Sequence, residues 1–254
     1  MEVFFNYFLI TMVILAIICF IALFFIEAGY GRFTTNSWGW SIKNTLGWFL
    51  MEAPVFIFML VLWLVSDRKD NISIFIIFAC FQLHYFHRAF IFPLLIKGKS
   101  RMPLAIIAMG IVFNSLNALM QGGWLFYISN EQQYNLAWLQ TPQFIIGALV
   151  FFTGLVINLD SDRRIRNLRK PGDTKHYFPR GGMFKHITSA NYFGEFIEWC
   201  GFAIMTWSTA GVVFALWTFA NLAPRANAIY NNYKSEFPKE FTQNKLKRII
   251  PFIY

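Results

Sequence analysis

Two histidines, a tyrosine and an arginine stand within FQLHYFHRAF (81–90), with IFIIFAC before them and IFPLLI after. Ionisable groups cost a few kcal/mol at bilayer depth, so residues of these types in so apolar a setting face a cavity or a partner. Glu52 in WFLMEAPVF, and Glu195 with Glu198 in GEFIEW, raise the same question. Pro54 is expected to bend its helix and free backbone groups beside the Glu52 carboxylate, which favours a polar pocket there. Helical spacing orders further polar residues. Asn158 and Asp162 are four apart with Arg166 and Arg169 continuing their face, and Asn191, Glu195 and Glu198 fall at i, i+4 and i+7. Two polar stripes are therefore expected to run from a basic loop into the apolar interior.

Each of these has a structural alternative. Hydrogen bonding between helices accounts for a cluster such as 84–88, with Arg88 paired to Glu52, Glu195 or Glu198 or reaching toward the surface. Topological bias or contact with anionic lipid accounts for the basic loop.

The elements that must position these groups are membrane helices. The 254 residues are 57% hydrophobic, 20% aromatic and only 14% charged, well below the charge of a soluble domain. Runs of the ~20 apolar residues that cross a bilayer occur near 3–26, 46–66, 71–96, 102–128 and 142–159, and again within 192–224. The first reads as a retained helix rather than a cleaved leader, because no basic residue precedes it. The last is read as a pair joined at WSTAG (207–211), giving seven transmembrane helices with the N-terminus outside and the C-terminus cytoplasmic. That arrangement puts 19 of the 22 lysines and arginines inside and only Arg68 and Lys69 outside, with Arg88 within a span. The whole chain, 1–254, reads as one all-α membrane-embedded domain whose long polar connection, about 160–190, faces the cytoplasm.

Several chemistries find no support. Cys19, Cys80 and Cys200 lie far apart in apolar runs, which suits neither a disulfide framework nor a metal cluster. The sequence has no P-loop, no HExxH and only one HxxH, so no metal site is expected. GYGRFT (29–34) begins like a dinucleotide fingerprint but lacks its third glycine. The net charge of +9 is placed by topology, so nucleic acid is not an expected partner.

The chain resembles the steroid 5α-reductases. The resemblance runs from about Gly29 to the C-terminal IIPFIY and rests on GYGR (29–32), Glu52 followed by Pro54, HYFHR (84–88), INLDSD (157–162), LRKPGD (168–173) and, above all, PRGGMFKHITSANYFGEFIEW (179–199). It implies seven membrane helices, NADPH taken from the cytosolic side, and reduction of the 4,5 double bond of a 3-oxo-Δ4 steroid. By the resemblance, Glu52 and Tyr85 would hydrogen-bond the 3-keto oxygen. Asn158, Asp162, Arg169, Asn191 and Glu195 would contact NADPH, joined by Tyr30, Arg101, Arg225 and Tyr233. Trp48, Met51 and Trp199 are placed by position as apolar lining for a sterol-sized ligand arriving from the bilayer. The chain departs from the family at Met51, where a glutamine often precedes the glutamate, and at Ile229, where a histidine is expected after Arg225. Other readings are a membrane methyltransferase of the isoprenylcysteine carboxyl type, using S-adenosylmethionine, and a transporter, which the absence of inverted repeats disfavours. A monomer is expected, in a bacterial inner membrane or the endoplasmic reticulum.

Overall fold

The computed structural model describes residues 1–26, 38–98, 100–168, 177–243 and 245–254, and these are mostly helical. Helix α1 (Glu2–Phe25) is apolar nearly all round and buries only Leu9, Met12 and Ala16. A short strand β1 (Ser41–Lys43) leads into α2 (Asn44–Leu64), which carries Pro54 in its interior. Helix α3 (Ile72–Phe86) is capped by Asn71, whose side chain accepts the N–H groups of Ser73 and Ile74.

The end of α3 widens into a π turn, His87–Ile91, before the single turn α4 (Phe92–Leu95). Pro93 has no N–H for the carbonyl of Ala89, so the helical ladder opens and the Phe92 N–H reaches His87 O instead. Strand β2 (Arg101–Pro103) then pairs antiparallel with β1, Ser41 opposite Pro103, and α5 (Leu104–Gly123) follows. The Asn44 N–H donates to Ser100 O and the Leu104 N–H to Trp40 O, so the strand pair satisfies the first donors of both α2 and α5.

A second π turn (Trp124–Ile128) extends α5, and a 3₁₀ turn (Leu136–Gln140) precedes α6 (Pro142–Asn167). Thr141 caps α6, with Pro142 in the first helical position, where a missing N–H costs nothing. After a further 3₁₀ turn at Gly182–Lys185 come α7 (Ala190–Thr206), α8 (Thr209–Glu236) and the short α9 (Pro238–Gln243). The apolar run at 192–224 is thus two helices. Trp207 in the left-handed conformation (φ 48°, ψ 43°) ends the first, and Ser208 Oγ accepts the Gly211 N–H to begin the second.

Among the described residues, five helical runs are long and apolar enough to cross a membrane: α1, α2, α3 through α4 (Ile72–Leu95), α5 with its π turn (Leu104–Ile128), and α6. The other two stand apart because α7 has only 17 residues and α8 turns polar along its second half, from Asn221 to Glu236.

In lipid, apolar side chains gain little by leaving the solvent, so close backbone approach does much of the work of association. The antiparallel pair α6–α7 achieves it with glycines. A Cβ on Gly154 would lie 2.2 Å from Glu198 N, and one on Gly194 would lie 2.4 Å from Asn158 N; Gly147 and Gly201 repeat the arrangement one heptad away. Around this pair, Phe81, Phe151, Trp199 and Phe202 form the aromatic centre of the core.

Both ends of the bundle are tied. At the α7–α8 junction Tyr134 Oη donates to Thr206 O (2.7 Å) and accepts from Trp124 Nε1 (2.8 Å), while Trp138 Nε1 donates to Met205 O (3.2 Å). At the other end the C-terminal segment runs beside the residues leading into α7. Ile187 pairs with Lys247, and the N–H groups of Thr188 and Ser189 donate to Lys247 O and Arg248 O.

Candidate active site

Three amides on α5 organise the middle of the bundle. Asn114, Asn117 and Gln121 fall at i, i+3 and i+7, so they form one stripe, and all three are buried. Asn114 Nδ2 donates to Glu52 Oε2 (3.2 Å) and to the backbone carbonyl of Met51 (2.6 Å). Asn117 Nδ2 donates to Tyr85 Oη (2.9 Å). Gln121 Nε2 donates to Ala210 O at the start of α8 (3.0 Å) and, at 3.4 Å, to Asn117 Oδ1. Glu52 of α2 and Tyr85 of α3, singled out by resemblance, are therefore brought to one polar line by a third helix. The amides were not among the sequence candidates, although their spacing is as regular as that of Asn191, Glu195 and Glu198.

The second group joins α3 to α6 and α7. Arg88, one residue into the π turn, donates through Nη1 to Asp162 (3.0 Å) and through Nη2 to Glu195 (2.7 Å). Asn191 Nδ2 donates to the other Asp162 oxygen (3.1 Å), and Asn158 Nδ2 to Asn191 O (2.9 Å). The two polar stripes read from the sequence thus face each other, at the level where Gly194 lets the two backbones meet. Of the pairings expected for Arg88, the one with Glu195 is present and those with Glu52 and Glu198 are corrected: its carboxylate partners are Glu195 and Asp162. Glu52 is bound by Asn114, and Glu198 lies with one oxygen 2.9 Å from His84 Nδ1. The widened turn places Arg88 over the α6–α7 face, and its guanidinium also lies over the rings of Trp48 (5.4 Å) and Phe92 (5.0 Å).

Glu198 is fully buried, and its second oxygen has no hydrogen-bond partner among the described residues. The His84–Glu198 pair sits within an aromatic group in which Trp199 lies 4.7 Å from His84 and 5.7 Å from Tyr85, ring centre to ring centre.

The other sequence candidates are dispersed. Trp199 is a core residue, also packed on Phe214 at 4.5 Å. Met51 is buried against Met102, Ile106 and Ile107, and its side chain occupies the space left by Gly110. Arg101 belongs to the strand pair, where Nε donates to Ser41 Oγ (3.0 Å) and Nη2 to the Ser41 carbonyl. Arg225 lies over the Tyr192 ring at 5.4 Å, and Tyr233 packs edge-on to Phe178 at 5.2 Å. Tyr30 and Arg169 lie outside the described residues.

A cavity of about 600 Å³ opens beside the end of α6, lined by Arg163, Arg164 and Arg180 with Tyr177 and Phe178. Asp160 accepts from both Arg163 (2.8 Å) and Arg164 (2.6 Å), and Arg180 pairs with Glu240, so two carboxylates face three guanidinium groups. Surplus positive charge beside flat rings suits the phosphates and base of a nucleotide. Ser189 Oγ, two positions before Asn191, is buried with no hydrogen-bond partner among the described residues. The arginines of the cavity offer donors for phosphate groups, and the separate group of Asn158, Asp162, Asn191 and Glu195 offers amide donors and carboxylate acceptors, a combination compatible with a phosphorylated dinucleotide.

The family model described as 3-oxo-5-alpha-steroid 4-dehydrogenase matches residues 100–254. Steroid 5-alpha-reductase DET2 of Arabidopsis thaliana is 36% identical over 260 residues, covering 100% of this chain and 98% of the relative. 3-Oxo-5-alpha-steroid 4-dehydrogenase 1 of Homo sapiens is 38% identical over 227 residues, 89% of this chain and 86% of its own length. The mouse protein of the same description is 36% identical over 241 residues, 94% of this chain and 92% of its own.

Proposed function

The chain belongs to the 3-oxo-5-alpha-steroid 4-dehydrogenase family, and we propose that it is a membrane reductase that uses NADPH to saturate the 4,5 double bond of a 3-oxo-Δ4 steroid. Glu52 and Tyr85 carry this reading: they come from different helices, yet both are bound by one amide stripe of α5 in an otherwise apolar interior.

NADPH, when bound, supplies the hydride. As carbon 5 of the steroid gains it, electron density moves through carbon 4 to the 3-keto oxygen, and a hydrogen-bond donor waiting there lowers the barrier to the enolate-like transition state. Tyr85 is that donor, and Glu52, as the protonated acid, donates its O–H to the same oxygen from the α2 side. Protonation at carbon 4 completes the reduction. Asn158, Asp162, Asn191 and Glu195 would hold the nicotinamide end of the cofactor, and Arg163, Arg164 and Arg180 the phosphates. Arg169, Arg101, Arg225, Tyr30 and Tyr233 complete the cofactor set in this reading.

In the same reading α7 and α8 bring the five membrane-crossing helices to seven, with the N-terminus outside, the C-terminus cytoplasmic, and the cofactor on the cytoplasmic side. An apolar groove of about 490 Å³ between α1, α5 and α8, lined by Met12, Met109, Val112, Phe113 and Trp217, supports lateral arrival of an apolar ligand from the bilayer.

The test is NADPH oxidation by detergent-purified protein with progesterone or testosterone, with the product identified by mass spectrometry and Tyr85→Phe and Glu52→Gln measured alongside. Turnover in the parent, lowered about a hundredfold or more but still measurable in both variants, with NADPH binding kept, is expected. No oxidation with any enone, together with binding of S-adenosylmethionine, would overturn the reading.

A further inference from the structure

Hydrogen bonds have a direction, and along α5 that direction is imposed by backbone. A backbone carbonyl can only accept. Gln121 therefore presents its NH₂ to Ala210 O, and the same NH₂ faces Asn117 Oδ1. With its oxygen so engaged, Asn117 must present its own NH₂ to Tyr85 Oη. The phenol oxygen receives a hydrogen bond, and its own hydrogen is left to point elsewhere. Asn114 repeats the logic one turn away. The Met51 carbonyl fixes its NH₂, which is then turned toward Glu52 Oε2.

We propose that Asn117 and Asn114, with Gln121 as anchor, are positioning residues that set the hydrogen-bond polarity of the site, keeping the Tyr85 hydrogen free for an incoming carbonyl oxygen and one Glu52 oxygen occupied. This rests on the reading of Tyr85 as carbonyl donor. Burial supports it: Asn117 is 0% and Gln121 1% exposed, so water is not at hand to reverse the sequence of donors. An amide that donates to the phenol oxygen also makes the phenol a stronger donor in turn, since hydrogen bonds in a chain polarise one another.

Asn117→Asp distinguishes direction from shape. The side chain keeps its size but offers only acceptors when ionised, so the Tyr85 hydrogen turns to it and away from substrate. The expected result is a fall in kcat of roughly tenfold or more, as for loss of one oxyanion donor, with the Kd for NADPH unchanged. Gln121→Met, which lets the Asn117 amide turn over, should lower kcat less. Both effects should vanish in a Tyr85→Phe background, because a residue acting through the phenol has nothing to act on there.

If the losses instead multiply in the double variants, Asn117 does not act through Tyr85 and the proposal is overturned while the donor reading stands. If Tyr85→Phe alone keeps full activity, the donor reading falls and the proposal with it. Should Asn117→Asp fail to bind NADPH, the Gln121→Met pair of measurements decides.

Discussion

Gly194 of α7 lies so close to Asn158 of α6 that a Cβ on the glycine would stand 2.4 Å from the asparagine's backbone nitrogen. No side chain separates the helices there, which is why the Asn158 amide reaches the Asn191 carbonyl one turn earlier on α7.

A methyl group at that point must push the helices apart. Gly194→Ala and Gly154→Ala are each expected to destabilise the protein by about 1–3 kcal/mol, the range for overpacking, and to weaken NADPH binding. Thermal unfolding in detergent and cofactor titration measure both. Gly98→Ala, whose added methyl would have only Ser100 atoms 4.0 Å away, serves as the unaffected control.

Arg88 stands between two carboxylates whose side chains are 7% and 18% exposed. Arg88→Gln leaves both without their cation, and breaking a buried pair in this way costs about 3–5 kcal/mol. Arg88→Lys should recover only part of this, because one ammonium cannot reproduce two separate N–H donors aimed at Asp162 and Glu195. Melting temperatures in the order parent, lysine, glutamine are expected; equal values for lysine and parent would show that charge alone suffices.

His84 and Glu198 can be separated from their neighbours by a double-mutant cycle. His84→Phe and Glu198→Gln should each lower stability, and the double variant should lose less than the sum by about 0.5–3 kcal/mol, the range for directly bonded residues. Strict additivity in chemical denaturation would mean that the 2.9 Å approach carries no coupling.

Arg248 lies between the rings of Tyr230 (4.6 Å) and Tyr254 (4.9 Å) and donates through Nε to Asn227 Oδ1 (2.7 Å). It thereby holds the segment whose carbonyls receive the Thr188 and Ser189 N–H groups just ahead of α7. Arg248→Ala should loosen the approach to Asn191 and weaken NADPH binding by up to roughly tenfold, the lower end of the cost of removing one charged hydrogen bond. Hydrogen exchange at Thr188 and Ser189 should quicken in parallel; unchanged protection there would disconnect the strap from the effect.

Much of this was legible in the residues. Hydropathy located the helices, and the lysine and arginine asymmetry divided 192–224 at WSTAG, where Ser208 caps the start of α8. The spacing of Asn158 with Asp162, and of Asn191 with Glu195, put each pair on one face, as found. The pairing of Arg88 with Glu195 was open in the residues, but its second partner, Asp162, which Arg88 reaches from the π turn at the end of α3, was not. Nor was the pairing of Ser41–Lys43 with Arg101–Pro103, which spans 60 residues of sequence between Ser41 and Arg101. The α5 amides escaped notice for a physical reason: an amide in an apolar run is less conspicuous than a charge, so a search led by ionisable groups passes over Asn114, Asn117 and Gln121. Met51 was read as a missing carboxamide beside Glu52, and Asn114 supplies one there from another helix.

The glycine seam also makes the molecule unevenly stiff. Helices α6 and α7 are interlocked main chain to main chain and resist sliding or parting. Helix α1 buries only three residues and leaves most of its length bare. The wall that α1 gives the apolar groove is therefore less tightly interlocked than the face bearing Asn158, Asp162, Asn191 and Glu195.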